Sequence, residues 1–471
     1  MKPSKPLLFA VASFLAAAGL LTGAVRPRYG GTLRVEMQAA LRDLLPAAET
    51  AELVSRSAAA KLAPMIFETL VRLSDEGRPE PSLAASWQPD ERSRRWQVRL
   101  RTRVTFHDGS ALTPARAAEV LNAANRGWKA VEVPDGLVLE TERPMPDLPL
   151  MLADPSLAIV LRREDGAPVG TGPFRLSEWH PARSAVLVAN EDYWGGRPFL
   201  DTVRVEMGRS PRDQLLDLEV EKADFVELPL QETRRASSRP AVLWSTAPLE
   251  LLALVCERGR PNISDIKTRQ ALARSIDRAA IHTVLLQRRG APAEGLLPGW
   301  LSGYAFLFDS ARDPGAMPRP AIAIVPGTPP LELSYDAADP LAKAVAERIA
   351  VDARAAGILI QTAGRSAVTK PTATDLRLVR IRIHPPSPAS ALSELVTAIG
   401  LGSYWPDPPP ESLQEVYAAE RSILESGNVI PLVHLPEVYA VSPRVRSWNT
   451  PAVLRTGEWR FQDVWVLPES P

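Results

Sequence analysis

Histidine, cysteine and serine are the side chains most able to bind a metal or attack a carbonyl, and this chain spaces them without a catalytic pattern. The five histidines are His107, His180, His282, His384 and His434, and no two form the i, i+4 helical pair that a zinc site of the HExxH type needs. The single cysteine, Cys256, excludes an intramolecular disulfide and a cysteine metal cage. It ends the apolar run Leu251-Leu252-Ala253-Leu254-Val255-Cys256 and reads as a buried strand residue. No serine sits in a glycine-flanked elbow of the hydrolase kind. Gly170-Thr171-Gly172-Pro173 lacks the lysine and the following helix of a phosphate loop, so a tight crossing of the chain between lobes is expected there. His107-Asp108-Gly109 is a turn signal whose histidine is expected to bond to backbone. The chemistry on offer is that of binding, not of reaction.

The elements that must position these residues follow from periodicity. Gly31 to Met37 and Trp96 to Arg101 alternate as half-buried strands do. Ala185 to Val188, Thr202 to Met207, Leu331 to Tyr335 and Leu376 to Ile383 are further strand candidates. Thr113-Pro114 and Asp339-Pro340 each place an N-cap before a proline at the first helical position. The first helix would bury Ala117, Val120, Leu121 and Ala124, and the second Leu341, Val345, Ile349 and Ala353, with Gly357 ending it. Asp265 can cap a helix carrying Ile266, Leu272 and Ile276, and Asp277 can start another. A last helix from Ser412 to Glu425 closes at Gly427 before the strand Val429 to Ala440. Strands alternating with helices indicate an α/β protein.

The chain has 471 residues, too many for one hydrophobic core, so at least two lobes are expected. Its 55 basic and 55 acidic residues balance, which removes any general attraction to nucleic acid or anionic membrane. Forty-six prolines, roughly twice the average share, are spread along the sequence and imply many short rigid connections. At the start, Lys2 and Lys5 precede the apolar stretch Leu7 to Leu21 and the small residues Thr22-Gly23-Ala24, the order of a secretory signal peptide over residues 1–24. The apolar run is short for a membrane span, and an uncleaved anchor is the rival reading. No cysteine lies near this segment to carry a lipid.

Several segments, in order, resemble the family 5 extracellular solute-binding proteins, the peptide- and nickel-binding group of importer receptors. They are Ile66-Phe67-Glu68-Thr69-Leu70-Val71, Pro81-Ser82-Leu83-Ala84-Ala85-Ser86-Trp87, Val104-Thr105-Phe106-His107-Asp108-Gly109, Gly170-Thr171-Gly172-Pro173-Phe174, Asn190-Glu191-Asp192-Tyr193-Trp194-Gly195-Gly196 and Asp265 to Asp277. Ile430-Pro431-Leu432 and Val438-Tyr439-Ala440-Val441 complete the series. The resemblance implies a two-lobed α/β fold of the type II periplasmic-binding-protein kind with an extra subdomain. The first lobe would be discontinuous, from residues 28–60, 171–260 and 440–471, with a subdomain at 61–170 and a second lobe at 261–439. It implies a monomeric periplasmic receptor that closes on a peptide or similar small molecule and hands it to the permease of an ABC importer, with no cofactor, no metal and no catalysis. An envelope scaffold or sensor of the same fold is the alternative.

The ligand-facing residues depart from the family. Peptide-binding members carry an aspartate in a short loop that pairs with the ligand's amino group, whereas this chain follows Ile383 with His384-Pro385-Pro386-Ser387-Pro388 and offers no carboxylate. Asp407-Pro408 comes later, after Tyr404-Trp405. Glu227 and Glu257 are near the cleft by the resemblance, and Glu257 stands where the family often has asparagine. Tyr404 and Trp405 suit either a pocket wall or core packing. Glu227, Glu257, Tyr404, Trp405, Asp407 and His384 are therefore the candidate ligand contacts. For export, N-terminal sequencing of the mature protein is expected to begin near Val25; an intact Met1 in a membrane fraction would overturn the signal-peptide reading.

Overall fold

Apolar alternation in Thr32–Glu36 buries Leu33 and Val35 and turns Arg34 and Glu36 to the other face. Those two residues take acidic and basic partners: Arg34 Nε donates to Asp224 Oδ2 at 2.8 Å, and Glu36 Oε1 stands 3.6 Å from Arg209 Nε. The computed structural model describes residues 26–45, 53–124, 126–163, 166–233, 241–308, 329–365, 374–384, 387–448 and 451–468. The expected signal segment and Pro385-Pro386 lie outside them.

Among the described residues, Thr32–Glu36 lies inside an eleven-stranded mixed sheet. On one side come Thr202–Glu206, paired in parallel, then Ser184–Ala189 and Phe174–His180. On the other come Phe225–Leu228, also parallel, then the long antiparallel strands Val429–Val441 and Val242–Cys256. Leu376–Arg382, Leu331–Asp336 and Ile360–Arg365 complete the order, and Ala291–Pro292 pairs with Val429–Val441 off this path. One core gathers Leu33, Phe174, Phe225, Tyr439, Trp459 and Phe461 in the first lobe. In the second lobe the period of two splits Val242–Cys256 between two faces: Leu252 and Leu254 join one core, Leu251, Ala253 and Val255 the other. A subdomain of Ala84–Pro89, Arg95–Leu100, Gly136–Thr141 and Trp128–Val133, covered by helix Pro114–Ala123, has its own core around Trp96, Phe106 and Leu121.

The expected caps form. Thr113 accepts from Arg116 N at 3.3 Å, Asp265 from Lys267 N at 3.2 Å and Asp339 from Leu341 N at 2.9 Å; Ser412, not named as a cap from sequence, also accepts from Glu415 N at 3.2 Å. Leu341, Val345, Ile349 and Ala353 are buried on one face of helix Pro340–Ala355. Ile266 departs from expectation: it begins helix Ile266–Ser275 but is exposed, because the inward face starts at Ala271 and Leu272.

The crossing between lobes is where the structure corrects the sequence reading. Gly170 to Pro173 does not cross between the lobes; it ties the subdomain to the first lobe. A Cβ on Gly170 would lie 1.9 Å from Ile66 O, and Gly172 N donates to that same carbonyl at 3.0 Å. The lobes are joined inside the two long strands. Val242 to Ser245 pair with Val441 to Val438 beside the first lobe, while Glu250 to Cys256 pair with Arg382 to Leu376 in the second. Between them the register shifts at Pro248, opposite Pro436. Proline donates no N–H, which loosens the ladder there, and Trp300 Nε1 instead donates to Pro248 O at 2.9 Å. Both long strands pass from one lobe to the other at this point.

His107 behaves as the turn residue expected, with Nε2 donating to Gly172 O at 3.0 Å and burial lowering its pKa to about 4. Because the Gly170 backbone approach leaves no room for a side chain, Gly170→Ala is expected to cost about 3 kcal/mol, read as a lower urea midpoint at unchanged slope. An unchanged midpoint would contradict the close packing of this crossing.

Candidate functional site

A cleft of about 1160 Å³ lies between the lobes. It opens beyond the carboxyl ends of Thr32–Glu36 and Phe225–Leu228, parallel neighbours in the first lobe, and of Leu331–Asp336, which runs the opposite way in the second. Ligands of open α/β sheets bind at that end of the strands because loops and helix starts, not side-chain layers, bound the space.

The deepest charges form one chain across the crossing. Glu437 sits on Val429–Val441 next to Pro436, and its carboxylate takes Arg382 from the second lobe and Lys61 Nζ, at 3.2 Å, from the first. Lys61 Nζ also lies 2.7 Å from Glu227 Oε1. The remaining oxygens are used as well: Tyr439 Oη donates to Glu437 Oε2 at 2.8 Å, and Gln38 N donates to Glu227 Oε2 at 2.7 Å. Lys61 is 7% exposed, and its ammonium lies 5.6 Å and 5.8 Å from the ring centres of Tyr439 and Trp459. Burial alone would drive Lys61 towards neutrality, but Glu227 and Glu437 outweigh it and hold the ammonium above its usual range. Burial would also raise Glu437; Arg382 and Lys61 reverse this and bring it to about 2.

The walls are set by helix starts. In the second lobe Arg380 Nε donates to Glu250 Oε2 at 2.7 Å, and its Nη1 lies 3.4 Å from Asp339 Oδ2. The other oxygen of Asp339 caps helix Pro340–Ala355, so one carboxylate serves both the helix and the wall. In the first lobe helix Pro211–Glu219 starts from the Ser210 cap. Its fully buried Gln214 accepts from Glu227 N at 2.9 Å and donates to Arg209 O at 3.0 Å, which fixes the helix against the strand bearing Glu227.

Of the six residues named from sequence, the structure puts one in the cleft wall. Glu227 lines it, already paired with Lys61. Glu257 lies at the far end of its strand, bound to Arg377 Nε at 2.7 Å. Tyr404 and Trp405 pack on the core of the second lobe, on the sheet face that also carries Leu251 and Val255; Tyr404 Oη accepts from Asn428 Nδ2 at 2.7 Å. Their pocket-wall reading is therefore replaced by core packing. Asp407 is exposed and outside the cleft lining. His384 is also outside it, with Nδ1 3.7 Å from Glu394 Oε2. Lys61, Arg382 and Glu437 were missed, although each left a trace: Lys61 and Glu437 are lone charges inside apolar stretches, and Arg380 and Arg382 alternate with apolar residues on one strand. Such charges need partners.

Among the described residues the cleft lining carries no imidazole or thiol, the donors that suit a transition metal. Among the described residues no group of three His, Cys, Asp or Glu side chains is placed to hold a metal ion, and no helix is long and apolar enough to cross a membrane.

Residues 78–397 match the description "bacterial extracellular solute-binding proteins, family 5 Middle". The nickel-binding periplasmic protein of Escherichia coli (strain K12) is 26% identical over 344 residues, which cover 64% of this chain and 66% of that protein. The matched stretches span 26%, 49% and 66% of the length of three curated relatives. Among solved structures, NikA of Brucella suis in complex with Fe(III)-EDTA superposes with a TM-score of 0.78 at 19% identity, covering 93% of this chain and all of that one. DppA of Helicobacter pylori in complex with the peptide STSA gives 0.71 at 18% identity, with 93% and 99% covered. These likenesses show the two-lobed α/β fold.

Glu437→Gln would leave Lys61 and Arg382 short of one buried negative charge, so a loss of about 3–5 kcal/mol at pH 7 is expected from denaturant unfolding. The sign with pH follows from the lowered carboxyl. Glu437 contributes its full stabilisation above the ordinary glutamate value of 4.5 and loses it as pH falls towards about 2. The stability gap between wild type and variant is therefore expected to be constant from pH 7 to 5 and to narrow below pH 4.5. A gap that widens on acidification would contradict the ion chain.

Proposed function

Because this chain belongs to the family 5 bacterial extracellular solute-binding proteins, we propose that it captures a peptide or peptide-like molecule in the interlobe cleft and delivers it to the permease of an ABC importer. The family is one of solute-binding proteins, not of enzymes. The observation that carries the reading is the cleft itself, about 1160 Å³ at the carboxyl ends of the strands. That space exceeds the ~300–1,000 Å³ of ordinary small-molecule pockets and suits an organic ligand of several residues better than a lone metal ion. Its polar walls, with guanidinium and carboxylate groups fixed by helix caps and strand neighbours, suit the alternating donors and acceptors of a peptide backbone. The protein works as a monomer outside the cytoplasm, and the lobes close by bending where the long strands lose register.

One observation favours the scaffold reading: the deepest charges of the cleft are paired with one another. Native mass spectrometry of the protein purified from its own host separates the two. A receptor is expected to carry a small molecule. Returning that molecule to the stripped protein at a hundred times its Kd should stabilise the fold by about 2.7 kcal/mol and shrink the molecule in small-angle scattering. A protein that carries no small molecule, and is stabilised by none of a panel of blocked and free tri- to pentapeptides, would be a scaffold.

A further inference from the structure

We propose that Lys61 is a built-in ammonium that fills the cleft's own ammonium site and thereby selects against ligands presenting a free amine at that point; this rests on the receptor reading above. The site has the parts that recognise a primary ammonium anywhere: two carboxylates within hydrogen-bonding reach and aromatic rings alongside. Lys61 Nζ is 2.7 Å from Glu227 and 3.2 Å from Glu437, close to the rings of Tyr439 and Trp459. Lys61 reaches this place from the C-terminal turn of helix Leu53–Leu62, and it is itself part of the cleft lining. Each oxygen of the acid pair already holds a donor. Glu227 gives its second oxygen to Gln38 N, and Glu437 holds Arg382 and Tyr439 besides Lys61.

Consider a ligand ammonium arriving here. It would meet Lys61 and Arg382, two cations already matched by Glu227 and Glu437. At the Lys61 position itself the newcomer would crowd a third cation onto Glu227 and Glu437, each of whose oxygens already holds a donor. The part of the ligand lying against Lys61 is therefore neutral or anionic, such as a blocked amino terminus, an amide or a carboxylate.

The test separates this idea from the receptor reading, because its first probe is a bare amine and needs no transport ligand. Lys61→Ala removes the stem and the charge and leaves Glu227 and Glu437 facing a space of the lysine's own shape. n-Butylammonium is expected to raise the melting temperature of Lys61→Ala in a saturable way. Sodium chloride at equal ionic strength and n-butanol are expected not to. Wild type should show no saturable response, and Lys61→Ala combined with Glu227→Gln should lose most of it. A folded Lys61→Ala protein that ignores butylammonium, or a wild type that responds equally, would overturn the proposal. Lys61→Met keeps the stem and removes only the charge, and serves if the alanine variant does not fold. It is expected to bind trialanine about tenfold or more tighter than wild type does, with N-acetyl-trialanine showing no gain. Calorimetry on the wild type alone is also decisive: binding of trialanine that is tighter than binding of its N-acetyl form would refute Lys61 as the excluding group. Failure of these tests alongside a stabilising co-purified molecule sinks the Lys61 proposal and leaves the receptor intact.

Discussion

The two lobes meet at a carboxylate. Glu437 lies on a strand that runs through both, at the place where the ladder loses register, and it is held by Lys61 from one lobe and Arg382 from the other. An ion this deep is tolerated only because both oxygens are occupied and both neighbours are cationic. The consequence is geometric. Lys61 must reach in from helix Leu53–Leu62, Arg382 must be the last residue of its strand, and Tyr439 must stand two residues on to supply its hydroxyl. The cleft floor is thus built by the requirement to satisfy one buried acid, and Glu227 is drawn into it through Lys61.

The same logic recurs away from the cleft. Glu68, 7% exposed within an apolar stretch, accepts from Thr171 Oγ1 at 2.8 Å, Tyr193 Oη at 2.8 Å and Trp194 Nε1 at 3.0 Å. It thereby fastens its own segment to two others, all three of them motif segments of the family, where the subdomain meets the first lobe. In the second lobe Glu420 is fully buried and accepts from Leu296 N at 2.6 Å, Leu297 N at 3.2 Å and Tyr304 Oη at 2.7 Å. Burial raises it to about 7 even so. A buried acid with several donors fixes the orientation of the segments that supply them, because any displacement strands a polar group.

Much of the frame was legible in the amino-acid order. Period-two runs marked the strands Thr32–Glu36, Arg95–Leu100 and Leu331–Asp336, and cap-plus-proline pairs marked helices Pro114–Ala123 and Pro340–Ala355. These signals are local: a cap needs only the two or three residues that follow it, and strand alternation needs only a buried side. The cleft was far less legible. Tyr404 and Trp405 have the composition of a pocket wall, yet the turn that carries them folds onto the core on the other side of the sheet. Sequence spacing does not say on which side of a strand a distant loop will pack.

By itself, then, the sequence determined the α/β class, the helix starts, the buried Cys256 strand and the family motifs, because each depends on neighbours within a few residues. Tertiary structure decided where the lobes cross and which charges line the cleft. The crossing depends on strand pairing between segments nearly two hundred positions apart, where Pro248 meets Pro436. The partners of Lys61 lie at positions 227 and 437, and a charge in an apolar run announces only that it needs a partner. Which one it finds is a question of distance in space, which the folded chain alone supplies.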